Sequence, residues 1–128
     1  MSLNILIVDD SKVVRKIISK TLKLTGISIN EIHDASNGKE ALEVLNDEWI
    51  DIVFTDINMP VMGGVEMVER MNKDGLMQSV PVIVISTEGS ETRIEQLTQK
   101  GVRAYLRKPV TPERLRDVVK DILGLENE

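Results

Sequence analysis

The chain has 128 residues, the size of one compact domain, and 16 basic against 21 acidic side chains give it a net charge of −5. An acidic chain is poorly suited to bind nucleic-acid phosphates without sequence preference, so we expect no nucleic-acid partner. It has no cysteine and one histidine, which excludes disulfides and thiolate chemistry and disfavours a Ser-His-Asp triad. No apolar run exceeds four residues, whereas a membrane helix needs about 20. We therefore expect no membrane insertion and a cytoplasmic location.

The first half of the chain alternates between short apolar runs and helical periodicity. Ile5–Val8 is an unbroken apolar run, typical of a strand buried on both faces. Ser11–Thr25 then shows helical spacing. Its predicted core stripe consists of Val14, Ile17, Ile18 and Leu22. Ile29–His33 predicts a weaker strand, and Asn37 followed by Glu40 predicts the N-terminal cap of a second helix.

The second half of the chain continues the alternation. Three further strands are predicted: Asp51–Thr55, Val80–Ile85 and Val102–Arg107. Three further helices are predicted: Gly64–Lys73, Ser90–Lys100 and a last one capped by Thr111-Pro112. Strands that alternate with helices form a parallel sheet covered on both faces. We therefore expect an α/β fold in which residues 1–128 form a single domain without an output domain.

Chemically active side chains follow four of the five predicted strands. They are Asp9 with Asp10, then Asp56, Ser86 and Lys108. In a parallel sheet, ligands bind beyond the carboxyl ends of the strands, so these side chains should meet at one edge. Two carboxylates about 4 Å apart repel by about 4 kcal/mol at an effective dielectric of about 20. Three together favour a bound cation, and oxygen ligands that leave room for a phosphate favour Mg²⁺.

The acids, the expected cation, the lysine and the hydroxyl are together the groups that phosphoryl transfer uses. A lysine and a hydroxyl beside the metal can hold phosphoryl oxygens. Because no cysteine is present, a carboxylate is the natural covalent nucleophile, and its product is an aspartyl phosphate.

Four short motifs occur in a fixed order along nearly the whole chain. They are Ile5–Asp10, Asp56–Pro60 with Gly64, Val82–Ser86 and Tyr105–Pro109. One such motif would carry little weight, but four in order at these spacings are specific. With them the chain resembles the receiver domains of two-component response regulators, especially the stand-alone chemotaxis type. The resemblance implies a flavodoxin-like, doubly wound sheet with strand order 2-1-3-4-5 and five helices.

The resemblance also implies the chemical roles at the site. Asp56 would accept a phosphoryl group from a sensor histidine kinase, a phosphotransfer protein or a small phosphodonor. Asp10, Asp56 and the backbone carbonyl of Asn58 would hold Mg²⁺, with Asp9 acting through the metal's water. Lys108 would pair with the phosphoryl group.

The remaining roles implied by the resemblance concern regulation. Ser86 and Tyr105 would form a two-state switch that alters the surface of helix 4, strand 5 and helix 5 for a downstream target protein. Asn58 and Glu88 would set the lifetime of the phosphoryl group. The family's reaction is limited to phosphorylation and dephosphorylation of the protein itself, so we expect a signalling protein and not an enzyme. We also expect a monomer.

Two other classes of protein are alternatives to the receiver interpretation. A small Mg²⁺-dependent phosphohydrolase of the haloacid-dehalogenase kind also uses an aspartyl nucleophile. It requires one residue between its two acids, whereas Asp9 and Asp10 are adjacent, and the chain has no cap domain. A flavin-binding module would need a Gly/Ser/Thr-rich phosphate loop and stacking aromatics, and the chain has only one Trp, one Tyr and one Phe.

The first predicted helix is basic although the chain is acidic. Its cations are Lys12, Arg15, Lys16, Lys20 and Lys23. Two interpretations stay open from the sequence: a solvated helix face, or a docking surface for an acidic partner such as a kinase's phosphotransfer module.

Overall fold

A five-stranded parallel sheet with strand order β2-β1-β3-β4-β5 is the centre of the computed structural model, which describes residues 2–87 and 90–125. The strands are β1 Leu3–Val8, β2 Ile29–Ala35, β3 Ile52–Thr55, β4 Val82–Ser86 and β5 Ala104–Arg107. The helices are α1 Lys12–Lys23, α2 Gly38–Asp47, α3 Gly64–Lys73, α4 Glu91–Gln99 and α5 Pro112–Leu123. One turn of 3₁₀ helix, Leu76–Gln78, precedes β4. The α/β fold and the doubly wound strand order are confirmed.

The inner strands β1, β3 and β4 are buried on both faces, which explains why they are almost entirely apolar. In β1, Leu6 and Val8 belong to the core cluster beneath α2, α3 and α4. Ile5 and Ile7 belong to the cluster beneath α1 and α5. Because helices cover both faces of the inner strands, a ligand can reach those strands at the carboxyl edge of the sheet.

Capping side chains fix the starts of the helices where the sequence predicts them. The Asn37 side-chain oxygen accepts a hydrogen bond from the Glu40 backbone N–H at 2.9 Å. In return, the Glu40 carboxylate accepts hydrogen bonds from the Ser36 hydroxyl and backbone N–H. These Ser36 bonds lower the pKa of Glu40. The cap therefore stabilises α2 above the usual pKa of a glutamate, and the contribution is lost as the pH falls through the lowered value.

The predicted core stripe of the first helix is wrong at one position. Ile18 and Leu22 are buried and Val14 is half-buried, but Ile17 is 57% exposed. Successive residues of a helix are rotated by about 100°, so steps of four residues advance the stripe by only about 40°. Ile17 lies about 100° from Ile18 and therefore falls outside the face that contacts the sheet. The predicted strand boundaries differ from the observed ones by one or two residues.

The loop between β3 and α3 contains a turn in an unfavourable conformation. Val61 has φ of 66°, and across it the Met62 N–H donates to the Pro60 carbonyl at 2.7 Å. A three-residue turn with positive φ at its centre is rare and strained, most of all for a β-branched residue. Val61 is 78% exposed, so packing of its side chain offsets little of this strain.

Replacing Val61 by glycine is expected to raise the free energy of unfolding by about 0.5–1 kcal/mol, because glycine adopts positive φ without strain. Denaturant unfolding measures this change. Val13→Gly is the matched control: Val13 is also exposed but lies in α1, where glycine should lower stability by about 0.5–1 kcal/mol. A loss of stability in both variants would show that Val61 is not strained.

Candidate functional site

Four strand ends with chemically active side chains lie side by side at the carboxyl edge of the sheet. Asp9 and Asp10 follow β1, Asp56 follows β3, Ser86 ends β4 and Lys108 follows β5. The sheet order makes β1, β3, β4 and β5 consecutive neighbours. The backbone N–H of Lys108 donates to the Ser86 carbonyl at 3.0 Å, so the last two strand ends are joined directly.

Lys108 connects two of the carboxylates. Its Nζ lies 2.8 Å from Asp9 Oδ2 and 3.0 Å from Asp56 Oδ2. All three side chains are largely buried, with exposed fractions of 18% for Lys108, 3% for Asp9 and 15% for Asp56. Burial alone would lower the pKa of Lys108, but the hydrogen bonds and charges of Asp9 and Asp56 together outweigh it and raise the pKa. Lys108 is therefore a firmly charged ammonium beside Asp56.

Asp9 is held by four hydrogen bonds. Its Oδ1 accepts from the Ser11 backbone N–H at 2.9 Å, and its Oδ2 accepts from Lys108. Its own N–H donates to the Ala35 carbonyl at 3.1 Å, and its carbonyl accepts from Arg15 Nη1 at 2.6 Å. Both carboxylate oxygens of this buried residue are therefore already engaged.

Asp10 supplies the third carboxylate. Oxygen atoms of Asp9, Asp10 and Asp56 all lie within 4.8 Å of one another. Asp10 is exposed, and its carboxylate makes no hydrogen bond or ion pair with residues 2–87 or 90–125. It does not cap α1 either, because the Ser11 hydroxyl accepts from the Val14 N–H at 3.2 Å.

The donor set of this acid cluster fits a hard divalent cation. Three carboxylates oppose the single ammonium of Lys108, which leaves an excess of two negative charges. The ligand atoms are all oxygens, which Mg²⁺ prefers. The residues present therefore suit Mg²⁺ in charge and in chemistry.

The loop after Asp56 is fixed by close backbone packing. Asp56 Oδ1 accepts from the Ile57 N–H at 2.7 Å, and the Gly64 N–H donates to the Ile57 carbonyl at 2.7 Å. A Cβ on Gly64 would lie 2.5 Å from the Asp56 carbonyl oxygen. The glycine of the second motif is therefore required because the start of α3 lies against the backbone of Asp56. Asn58, two residues past Asp56, is exposed.

The other residues predicted for the site lie on β4, β5 and the loops that follow. Ser86 is buried at the end of β4. Tyr105 pairs in register with Val84, and its half-buried ring packs against the core beneath α2, α3 and α4. The Lys108-Pro109 peptide bond is cis. Glu88, predicted to set the phosphoryl lifetime, lies outside the described residues.

One cation of the basic first helix does not lie on a solvated face. Arg15 is 14% exposed, and its Nε lies 2.8 Å from Asp34 Oδ2 at the end of β2. The solvated-face interpretation is therefore wrong for Arg15, whose guanidinium is directed toward Asp34 and the Asp9 carbonyl. The docking surface stays a prediction. The other four cations, Lys12, Lys16, Lys20 and Lys23, are exposed.

Sequence reasoning missed Arg15 because helical periodicity assigns it to the polar side of α1 and cannot pair it with a strand 19 residues away. The only available signal was its position in the first turn after Asp9-Asp10.

Among residues 2–87 and 90–125, no helix is both long and apolar enough to cross a bilayer.

Comparison with known proteins gives consistent results at the level of family and fold. Residues 5–120 match the family model described as the response regulator receiver domain. A chemotaxis protein CheY homolog of Campylobacter jejuni is 34% identical over 123 residues, which cover 95% of this chain and 93% of that protein. Chemotaxis protein CheY1 of Helicobacter pylori is also 34% identical over 123 residues, with coverages of 95% and 98%.

A solved structure supports the same assignment. The chemotaxis protein CheY4 of Vibrio cholerae superposes with a TM-score of 0.80 at 30% identity. The match covers 98% of this chain and 100% of that one. Sequence and backbone therefore agree over nearly the entire length.

Asp10→Asn is expected to raise the melting temperature by about 2–4 °C in the presence of a chelator. It removes the one carboxylate of the cluster that Lys108 does not contact. Because Asp10 is exposed, the reduced charge repulsion should raise the free energy of unfolding by only about 0.5–1 kcal/mol. Thermal unfolding followed by circular dichroism measures the shift. Asp121→Asn removes an exposed acid of α5 outside the cluster and serves as the control. A melting temperature lowered by Asp10→Asn would contradict the electrostatic argument.

Proposed function

Because the chain belongs to the response regulator receiver domain family, we propose that Asp56 accepts one phosphoryl group in a Mg²⁺-dependent reaction and that this changes a surface for a protein partner. Members of the family signal through a phosphoaspartate. Asp9 and Asp56 both contact Lys108, at 2.8 Å and 3.0 Å. The observation that favours Asp56 is its greater exposure to an incoming phosphodonor, 15% against 3% for Asp9.

The proposed reaction is a single in-line displacement. A carboxylate oxygen of Asp56 attacks the phosphorus of a phosphohistidine or an acyl phosphate. The P–O bond to Asp56 forms, and the P–N or P–O bond to the donor breaks as the donor leaves with the electron pair. The Lys108 ammonium lies where it can pair with the negative oxygens of the transferred group.

Mg²⁺ would be held by Asp10, Asp56 and the backbone carbonyl of Asn58. Asp9 would act through the metal's water, because its side chain is only 3% exposed, whereas that of Asp56 is 15% exposed and Asp10 is exposed. When bound, the ion supplies positive charge that offsets the repulsion between the acids and the incoming phosphoryl group. We propose that Asn58 and Glu88 set how fast water removes the phosphoryl group.

The proposed switch consists of Ser86 and Tyr105, with α4, β5 and α5 as the surface that changes. Ser86 is connected to the site because its carbonyl accepts from the Lys108 N–H. Among the described residues of α4, Leu97 alone is fully buried, so packing holds this helix less firmly than the others. A phosphoryl group can shift the balance only by interacting better with one state, here through Ser86 and Lys108.

The proposed partners are a histidine kinase or phosphotransfer protein and a downstream target protein. The relatives named above are chemotaxis proteins, which supports a chemotaxis-type role. The exposed lysines of α1 begin next to the acid cluster and suit an acidic phosphodonor protein. The target would instead bind the surface formed by α4, β5 and α5.

The Asp56→Asn variant should lose phosphorylation. Intact-mass analysis after incubation with acetyl phosphate and Mg²⁺ should show one added phosphoryl group on the unmodified protein and none on the variant. Excess chelator should abolish the label, because the acids then repel the phosphate. Asp121→Asn, which removes an exposed acid outside the site, should be labelled normally.

Two results would contradict this assignment. One is label retained in Asp56→Asn. The other is continued turnover of a generic phosphate ester by the unmodified protein, which would favour the phosphohydrolase alternative because a receiver accepts one phosphoryl group without releasing product from an added ester.

Ser86→Ala should preserve labelling of Asp56 but reduce the response of α4. In the unmodified protein, a beryllofluoride mimic of the phosphoryl group should change amide hydrogen exchange across residues 91–100 and around Tyr105. Ser79→Ala, at an exposed serine outside the site, should respond like the unmodified protein. Exchange that changes only around Asp9, Asp10 and Asp56 would contradict the switch.

A further inference from the structure

Arg15 links three elements beside the acid cluster. It lies in the first turns of α1, where its N–H donates to the Ser11 carbonyl at 3.0 Å. Its guanidinium donates through Nε to Asp34 Oδ2 at 2.8 Å and through Nη1 to the Asp9 carbonyl at 2.6 Å. One planar group therefore joins α1 and the end of β2 to Asp9, the residue that directly follows β1.

The contact with Asp9 is made to the backbone, directly before Asp10. A hydrogen bond to the Asp9 carbonyl restricts rotation of the peptide unit between Asp9 and Asp10, and thereby the direction in which Asp10 leaves β1. Asp10 has no hydrogen bond or ion pair of its own with the described part of the chain. The backbone that carries it is therefore the means by which its carboxylate can be oriented.

We propose that Arg15 is a positioning residue for the metal site, which acts by fixing the Asp9-Asp10 peptide unit while Asp34 anchors the guanidinium. The proposal rests on the Mg²⁺-dependent function given above. Groups that orient metal ligands without touching the metal commonly change affinity by about 10–100-fold when they are replaced.

The charge of Arg15 and its geometry have opposite effects on a cation. A positive guanidinium near the site repels Mg²⁺, so removing the charge alone would tighten binding. Removing the orienting hydrogen bond would weaken binding. The sign of the change therefore separates the two roles.

Lysine at this position keeps the positive charge but lacks the planar guanidinium with its several N–H donors. A guanidinium donates from Nε and Nη1 to two acceptors in fixed directions, whereas an ammonium on a flexible stem has no such geometry. Arg15→Lys therefore tests positioning at constant charge, and Arg15→Gln tests it with the charge removed. Lys16→Gln is the charge control, because Lys16 is the exposed neighbouring cation on the same helix.

Isothermal titration calorimetry of each folded variant with Mg²⁺ alone measures its affinity for the ion. We expect Arg15→Gln and Arg15→Lys both to weaken Mg²⁺ binding by about tenfold, and Lys16→Gln to leave it unchanged or slightly tighter. At saturating Mg²⁺, acetyl phosphate should still label Asp56 in both Arg15 variants. The Mg²⁺ concentration for half-maximal labelling should rise by the same factor as the dissociation constant.

Three outcomes would overturn the proposal. Tighter binding in Arg15→Gln with unchanged binding in Arg15→Lys would show that Arg15 acts through charge alone. Unchanged affinity in both variants would show that it does not act on the metal site. Loss of the fold in both would make its role structural. Failure of the proposed function is distinguishable from these, because the unmodified protein would then bind no Mg²⁺ and take up no label.

Discussion

The repulsion among three carboxylates at one sheet edge is the constraint on which the rest of the site depends. Asp9, Asp10 and Asp56 lie within 4.8 Å of one another, and one ammonium is shared between two of them. Asp9 is tolerated in a buried position because every polar atom of the residue has a partner. The negative charge that Lys108 does not pair with is that of Asp10, which is exposed. We expect this arrangement to lower stability and to favour a bound cation, as functional sites commonly do.

The parallel sheet is what makes this constraint possible. Both faces are covered by helices, and the carboxyl ends of β1, β3, β4 and β5 are consecutive in space although their residues are spread over the chain. Close backbone packing then removes freedom around Asp56. A side chain on Gly64 would collide with the Asp56 carbonyl, so the start of α3 limits the movement of the loop that begins at Asp56.

Much of this structure could be predicted from local sequence pattern. The features that could not be predicted all depend on how distant parts of the chain pack together. Strand runs and caps such as Asn37 depend on neighbours within a few residues, so the sequence alone predicts them. The parallel topology then predicts that Asp9, Asp56 and Lys108 converge. The contact of Arg15 with Asp34 depends on how α1 packs beside β2, and the positive φ of Val61 depends on closing a loop between two fixed elements. Neither has a local signature.

Rigidity is unevenly distributed across the molecule, and this follows from the same packing. Asp9 after β1 and Asp56 after β3 are fixed by hydrogen bonds with the backbone and with Lys108, whereas α4 has Leu97 as its one fully buried residue in the described chain. Lys108 belongs to both regions. Its side chain contacts Asp9 and Asp56, and its backbone N–H binds the Ser86 carbonyl beside the weakly packed helix. A new anion on Asp56 would compete with Asp9 for the same ammonium. Because α4 can move at a lower cost than the acid cluster, the response to that competition is expected in α4.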